Sequence, residues 1–233
     1  MHPECVADKP RLLMSRLGPT LGMHGGVLAG GTGLALQLGH RISDHLEFVT
    51  QQAFRPGDVL EELRALAGAV EPVTMGEAAL VADADGALVS LVQTRVRFLQ
   101  PTTRVNGCDV AGTIDIAGTK LIAVSQGGTR IDFVDLYAVL QSVPFRAVVR
   151  NALERYGSDA LDPLAVGKGL VWFEQADGQD DSVSAGAPLP WGHVRQFFLS
   201  SLRQFVYDLD AERHDAIGEA HPLDIDEQDS GLR

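Results

Sequence analysis

The chain has 233 residues, 45% hydrophobic and 21% charged, and its 31 Asp and Glu against 19 Lys and Arg give a formal charge of −12. This is the composition of a globular protein with a sizeable core, and the negative balance argues against general DNA binding or attachment to an anionic membrane. Cys5 and Cys108, far apart and alone, make neither a zinc signature nor a disulfide framework.

No apolar run reaches the length of a membrane span and the N-terminus lacks a signal-peptide pattern, so the expected compartment is the cytoplasm. The first element expected is a short helix over 10–22, broken by Gly18, Pro19 and Gly22. Val27-Leu28-Ala29 reads as a short strand running into Gly30-Gly31. Thr32 is then placed to cap a helix through Leu34, Leu36 and Leu38, which Gly39 ends. Residues 42–49 read as a strand, with Leu46 and Phe48 on one face and Ser43, His45 and Glu47 on the other. Residues 56–67 carry a helical period in Val59, Leu60, Leu63 and Leu66, with acids in the first turn.

Two strands, 78–83 and 88–99, flank the hairpin signal Asp85-Gly86. Along the second, Gln93, Arg95 and Arg97 alternate with Val92, Thr94, Val96 and Phe98. Asn106-Gly107 marks a further turn. Helical text follows at 116–124, 131–141, 144–156 and 190–209, with Phe133, Leu136 and Tyr137 read as a core stripe. The segment 174–189 reads as an exposed loop and 216–233 as a frayed acidic tail. The expected fold class is α/β (α+β): a mixed sheet flanked by helices over 1–108, a helical domain over 109–215 and the tail over 216–233.

Strand, Gly-Gly and helix in succession suit an anion. Glycines let the backbone approach it closely, and the helix start offers free N–H groups. By itself the pair is more commonly a tight turn. The wider stretch 28–50, from Leu28-Ala29-Gly30-Gly31-Thr32 to Ser43-Asp44-His45-Leu46-Glu47-Phe48, resembles the first motif of the AbiEii/AbiGii toxin family. The stretch 115–140, with Lys120 and then Arg130-Ile131-Asp132-Phe133-Val134-Asp135-Leu136-Tyr137, resembles that family's helical motif.

The resemblance implies a DNA polymerase β-type nucleotidyltransferase fold, of toxin–antitoxin or abortive-infection type. It implies transfer of a nucleotide or phosphoryl group from a nucleoside triphosphate to RNA or protein, with transfer RNA as one acceptor and a cognate antitoxin as partner. It also implies that Gly30, Gly31 and Thr32, helped by Ser43, hold the triphosphate, that Lys120 reaches a phosphate, and that Asp132 and Asp135 are the acidic pair of the helical motif. Two simpler readings stand beside it: Asp132 caps its helix, and Asp135 pairs with Arg130.

Such chemistry uses Mg²⁺ or Mn²⁺ held by hard oxygen ligands. Where the family strand reads Ser-x-Asp-x-Asp-Phe, this chain has His45 and Glu47 in the two acidic places, leaving Glu47 as the metal ligand. Arg97 falls where a third carboxylate is expected, and there it would contact the triphosphate instead. His45, Glu47 and Asp135 are the catalytic candidates, and with neutral His45, Glu47 and Arg97 in the three carboxylate places the expected charge there is near zero. The alternative is therefore a catalytically degenerate relative that binds a nucleotide or a partner protein without chemistry. A histidine-built metal enzyme is the weakest reading, because His24, His40, His45, His193 and His214 show no zinc spacing.

Overall fold

Side-chain alternation along the strands gives the sheet two different faces. The computed structural model describes residues 1–179 and 190–220. Among them, β1 (Val27–Leu28), β2 (Leu46–Thr50), β3 (Val70–Met75), β4 (Ala79–Ala84), β5 (Ala87–Gln93), β6 (Thr103–Val105) and β7 (Cys108–Val110) form one sheet in the order β3-β4-β5-β2-β1-β7-β6. β1 lies antiparallel to β2 and parallel to β7, and β2 lies parallel to β5, so the sheet is mixed. Both hairpin signals hold. Asp85-Gly86 joins β4 to β5 and Asn106-Gly107 joins β6 to β7, all four residues at positive φ.

One face of the sheet receives α1 (Asp8–Met23) and α3 (Pro56–Arg64). Leu13, Met14, Leu17 and Leu21 of α1 and Val59, Leu60 and Leu63 of α3 join Leu46, Phe48, Val89 and Leu91 in one core. The other face carries the helical half. There α2 (Gly30–Leu38) leads from β1 toward α4 (Thr113–Ser125), α5 (Arg130–Leu140), α6 (Phe145–Tyr156), α7 (Pro163–Gly169), α8 (Glu174–Asp177) and α9 (Trp191–Ala220). Phe133 centres this second core, with the rings of Phe173, Trp191 and Phe198 at 5.1, 5.8 and 5.3 Å. Tyr137 packs edge-on against Phe197 at 4.9 Å, in keeping with the expected core stripe. No helix among the described residues is long and apolar enough to cross a membrane.

Several expected boundaries shift, each for a local reason. α1 runs unbroken through Gly18, Pro19 and Gly22. An internal proline costs a helix about 3 kcal/mol, but four fully buried side chains along one stripe return roughly 1.5–3 kcal/mol each. Gly18 is used for close approach, since a Cβ there would overlap Cys108 Sγ. α2 starts at Gly30, so Thr32 lies inside the helix and does not cap it. β2 starts at Leu46 and not at 42, because Ser43 is drawn into a bridge with Val6: its N–H donates to Cys5 O at 2.8 Å, and its carbonyl accepts from Ala7 N at 2.9 Å.

β5 stops at Gln93 and not at 99. β3 has no counterpart among the expected strands because beyond Val70 its side chains are exposed on both faces, as befits an edge strand containing Pro72. In the segment expected as a loop, Glu174–Asp177 is helical, and 180–189 lie outside the described residues. α9 extends past 209 into the expected tail, of which 221–233 lie outside the described residues.

Candidate functional site

A cleft of about 350 Å³ opens where the start of α2, the outward face of β2, the chain after β5, and helices α4 and α6 meet. Ala29 and Gly30 form one end of it, and Glu47 and Val49 rise from the sheet. Thr119 and Lys120 come from α4, Asp132 from α5, and Arg155 and Tyr156 from α6. The motifs at 28–50 and 115–140 thus converge on one cavity. A larger cavity of about 850 Å³, between α6 and the end of α9, contains none of these residues.

The two glycines have separate jobs. Gly30 adopts φ +57, and a Cβ on it would overlap the Glu47 carboxylate, so glycine both makes the turn and lets Glu47 lie over it. A Cβ on Gly31 would overlap Arg41 Nη2. Arg41, itself buried, grips Asp135 bidentately, Nε to Oδ1 at 2.7 Å and Nη2 to Oδ2 at 3.0 Å. The Gly-Gly turn is therefore pressed against an ion pair that ties the segment after α2 to α5.

Asp135 is the hub. Its side chain is 0% exposed and also takes His40 Nε2 at 2.7 Å and Lys120 Nζ at 3.1 Å. Burial opposes its charge, but Lys120 and the hydrogen bonds from His40 and Arg41 prevail and hold the carboxyl well below the usual carboxylate range. Burial likewise opposes the Lys120 charge, yet Asp135 and Asp132 raise its pKa above the ordinary lysine value. Asp132 Oδ1 accepts from Lys120 at 2.8 Å, while Oδ2 accepts from Thr129 N and Oγ1 at 2.9 and 2.7 Å in a capping box. Asp132 does cap its helix, and it holds Lys120 as well. Asp135 pairs with Arg41, His40 and Lys120. An ammonium has three donors; these carboxylates engage two and leave one for the cleft.

Glu47 is exposed in the cleft, and its side chain makes no hydrogen bond or ion pair among the described residues. His45 does not share its face. The bridge at Ser43 draws the preceding chain aside, and His45 lines a separate small cleft with Asp44, whose Oδ1 lies 2.8 Å from its Nδ1. Ser43 and Thr32 are buried, with their hydroxyls 2.7 Å apart, and Thr32 also donates to His45 O. They brace the base of the turn away from the cavity.

Arg97 points outward to Glu154 at 3.2 Å. Ser90 and Val92 of β5 pair in register with Glu47 and Val49, and the same parity continues into the cleft through Thr94, Val96 and Phe98. Odd-numbered Arg97 falls on the opposite side. The cleft's arginine is Arg155, which no sequence motif marks.

The sequence is 27% identical over 183 residues to the uncharacterized protein aq_aa25 of Aquifex aeolicus (strain VF5), spanning 77% of this chain and 87% of that one. No family model matches. Among solved structures the chain resembles JHP933 from Helicobacter pylori, with TM-score 0.57 and 13% identity over 93% of this chain and 100% of that one. It also resembles MenT4, a nucleotidyltransferase toxin of Mycobacterium tuberculosis H37Rv, with TM-score 0.59 and 19% identity over 88% of this chain and 85% of that one. The chain has the nucleotidyltransferase fold.

On this nucleotidyltransferase fold the carboxylates are sparse. The cleft face of the sheet presents Glu47 followed by Val49, with Ser90 and Val92 alongside. Among the described residues no group of three or more His, Cys, Asp or Glu side chains is placed to hold a metal ion. Asp132 is engaged by Thr129 and Lys120, so Glu47 is the one uncommitted carboxylate facing this cavity among the described residues. A divalent ion on several protein oxygens does not fit this donor set. An anion at the start of α2 beside Lys120 does.

Besides Arg155, sequence reasoning misses the buried support around the cleft: Arg41, His40 and Asp115. Asp115 is fully buried and accepts from Leu99 N, Gln100 N and Asn151 Nδ2, which pins the chain after β5 as a cleft wall. No spacing rule marks such residues. The one available signal is Arg41 directly after His40 at a helix end, a pattern that local chemistry explains equally well as dipole compensation.

Proposed function

We propose that the protein is a nucleotidyltransferase of the AbiEii/AbiGii toxin type. Its cleft takes a nucleoside triphosphate and passes a nucleotide or phosphoryl group to RNA or protein, with transfer RNA among the acceptors. The observation carrying this reading is that Lys120, held by Asp132 and Asp135, meets Gly30 and Glu47 in a single cavity. Free N–H groups at the start of α2 and the remaining Lys120 donor suit phosphate oxygens. Glu47 is the carboxylate available to orient the acceptor. The helical region 109–215 completes the cleft, and a cognate antitoxin in the cytoplasm fits a toxin of this kind.

A second reading, binding without chemistry, is favoured by Glu47 being the one uncommitted carboxylate facing the cavity among the described residues, with His45 and Arg97 where the resemblance implies the other two. Each labelled nucleoside triphosphate, incubated with Mg²⁺ or Mn²⁺ and with transfer RNA or protein acceptors, separates the two. The expected result is acceptor labelling that disappears in Glu47→Ala and Lys120→Ala. Nucleotide binding with no acceptor labelled under any condition would leave the binding reading in its place.

A further inference from the structure

We propose that Arg155 is a second anion contact of this cleft, so that the ligand is held by its polyphosphate chain between Lys120 and Arg155. The inference rests on the nucleotide reading above and adds to it a residue and the part of the ligand that is gripped. The guanidinium is nearly sequestered, its side chain 3% exposed, yet it lines the cavity. Two of its edges are fixed from within, and the buried Asp115 carboxylate lies 3.8 Å from Nε. Nε donates to Arg97 O at 2.8 Å, and Nη1 donates to Asp115 O and lies 3.4 Å from Thr119 Oγ1. The rings of Phe98 and Tyr156 hold its faces, at 5.3 and 5.0 Å.

Nη2 makes no hydrogen bond among the described residues, and it is not one of the fully enclosed polar atoms that lack a partner. Arg155 lines the cavity, and Nη2 is its one nitrogen that the protein does not engage. A guanidinium locked on two sides and open on the third is already arranged for a phosphate oxygen, so binding costs little side-chain entropy. Lys120 has the same design, two donors engaged and one left.

The pairing also explains how a cleft with one uncommitted carboxylate can select a highly charged ligand. Thr119, adjacent to Lys120 in sequence, sits beside Arg155 Nη1, so both cations border the same stretch of α4. One phosphate engages one of them; a chain of phosphates engages both. The apolar wall of Val92, Val96 and Phe98 is left for the less polar part of the ligand.

Calorimetric titration of the full chain with ATP, inorganic tripolyphosphate, inorganic phosphate and adenosine, in Mg²⁺ and in EDTA, tests the proposal. Tripolyphosphate is expected to compete with ATP and to bind at least tenfold tighter than inorganic phosphate. In Arg155→Gln, ATP and tripolyphosphate should weaken at least tenfold, adenosine should not change, and Arg155→Lys should recover part of the loss. A structural role alone would weaken adenosine and polyphosphate together. Unaltered ATP affinity in Arg155→Gln, or failure of tripolyphosphate to compete with ATP on the unmodified protein, overturns the role of Arg155 and leaves the nucleotide reading intact. Failure of the unmodified protein to bind any nucleoside triphosphate overturns both. The tripolyphosphate competition needs no variant, so it stands even if Arg155→Gln does not fold.

Discussion

Replacing Asp135 with asparagine tests the hub on which the cleft is built. The substitution keeps size and one acceptor oxygen but removes the charge that Arg41, His40 and Lys120 share at 2.7 to 3.1 Å. Arg41 is 4% and Lys120 11% exposed, so neither can turn to water for compensation. Breaking a buried pair from one side costs about 3–5 kcal/mol, because the partner charge stays buried. Asp132 still holds Lys120 at 2.8 Å, which places the expected loss near the lower end, about 3 kcal/mol.

The pH dependence follows from the direction of the Asp135 shift. Its folded pKa lies below the unfolded value of about 4. Its contribution is therefore fully present above pH ~4 and is lost as the pH falls toward the folded value. Lys120 is shifted upward, so its contribution is complete below its unfolded value of about 10.4 and fades as the pH rises through the folded one. Urea unfolding at pH 7 should report the full loss for Asp135→Asn, and the gap between variant and parent should narrow below pH ~4. A loss at pH 7 under about 1 kcal/mol, the size expected of an exposed pair, or a gap unchanged into acid, would refute the hub.

Gly30→Ala should destabilise the fold by about 1–2 kcal/mol, the cost of the left-handed region for a residue with a Cβ. It should also displace Glu47 and weaken nucleotide binding, as read by thermal unfolding and titration on the same sample. Burial pushes the Cys108 thiol up to about 12, so a thiol-reactive dye at pH 8 should label Cys5 in the native protein and reach Cys108 only after unfolding. Rapid labelling of both thiols in native protein would contradict the packing of Cys108 beneath Gly18.

Local chemistry is legible in the sequence wherever one segment decides the outcome. The Gly39 cap, the Asp85-Gly86 and Asn106-Gly107 turns, and the helices at 113–125 and 130–140 follow from residue type and period. So does the α/β-then-helical order of the elements. Gly30, Lys120 and Asp132 stand out from their motifs alone, and all three line the cleft. What the sequence does not carry is the direction of side chains at strand ends.

The expected places of His45 and Arg97 come from the family resemblance, and in the folded chain both residues lie just beyond a strand end. In one case Ser43 is captured by Val6; in the other, Asp115 and Arg155 fasten residues 97–100. These captures join residues distant in sequence, so no local pattern announces them. The same holds for Arg41 meeting Asp135 and for Arg155 turning into the cleft. Residue periodicity fixes which face a side chain takes while a strand lasts; only long-range hydrogen bonds decide where the strand stops, and with it which charges reach the cavity.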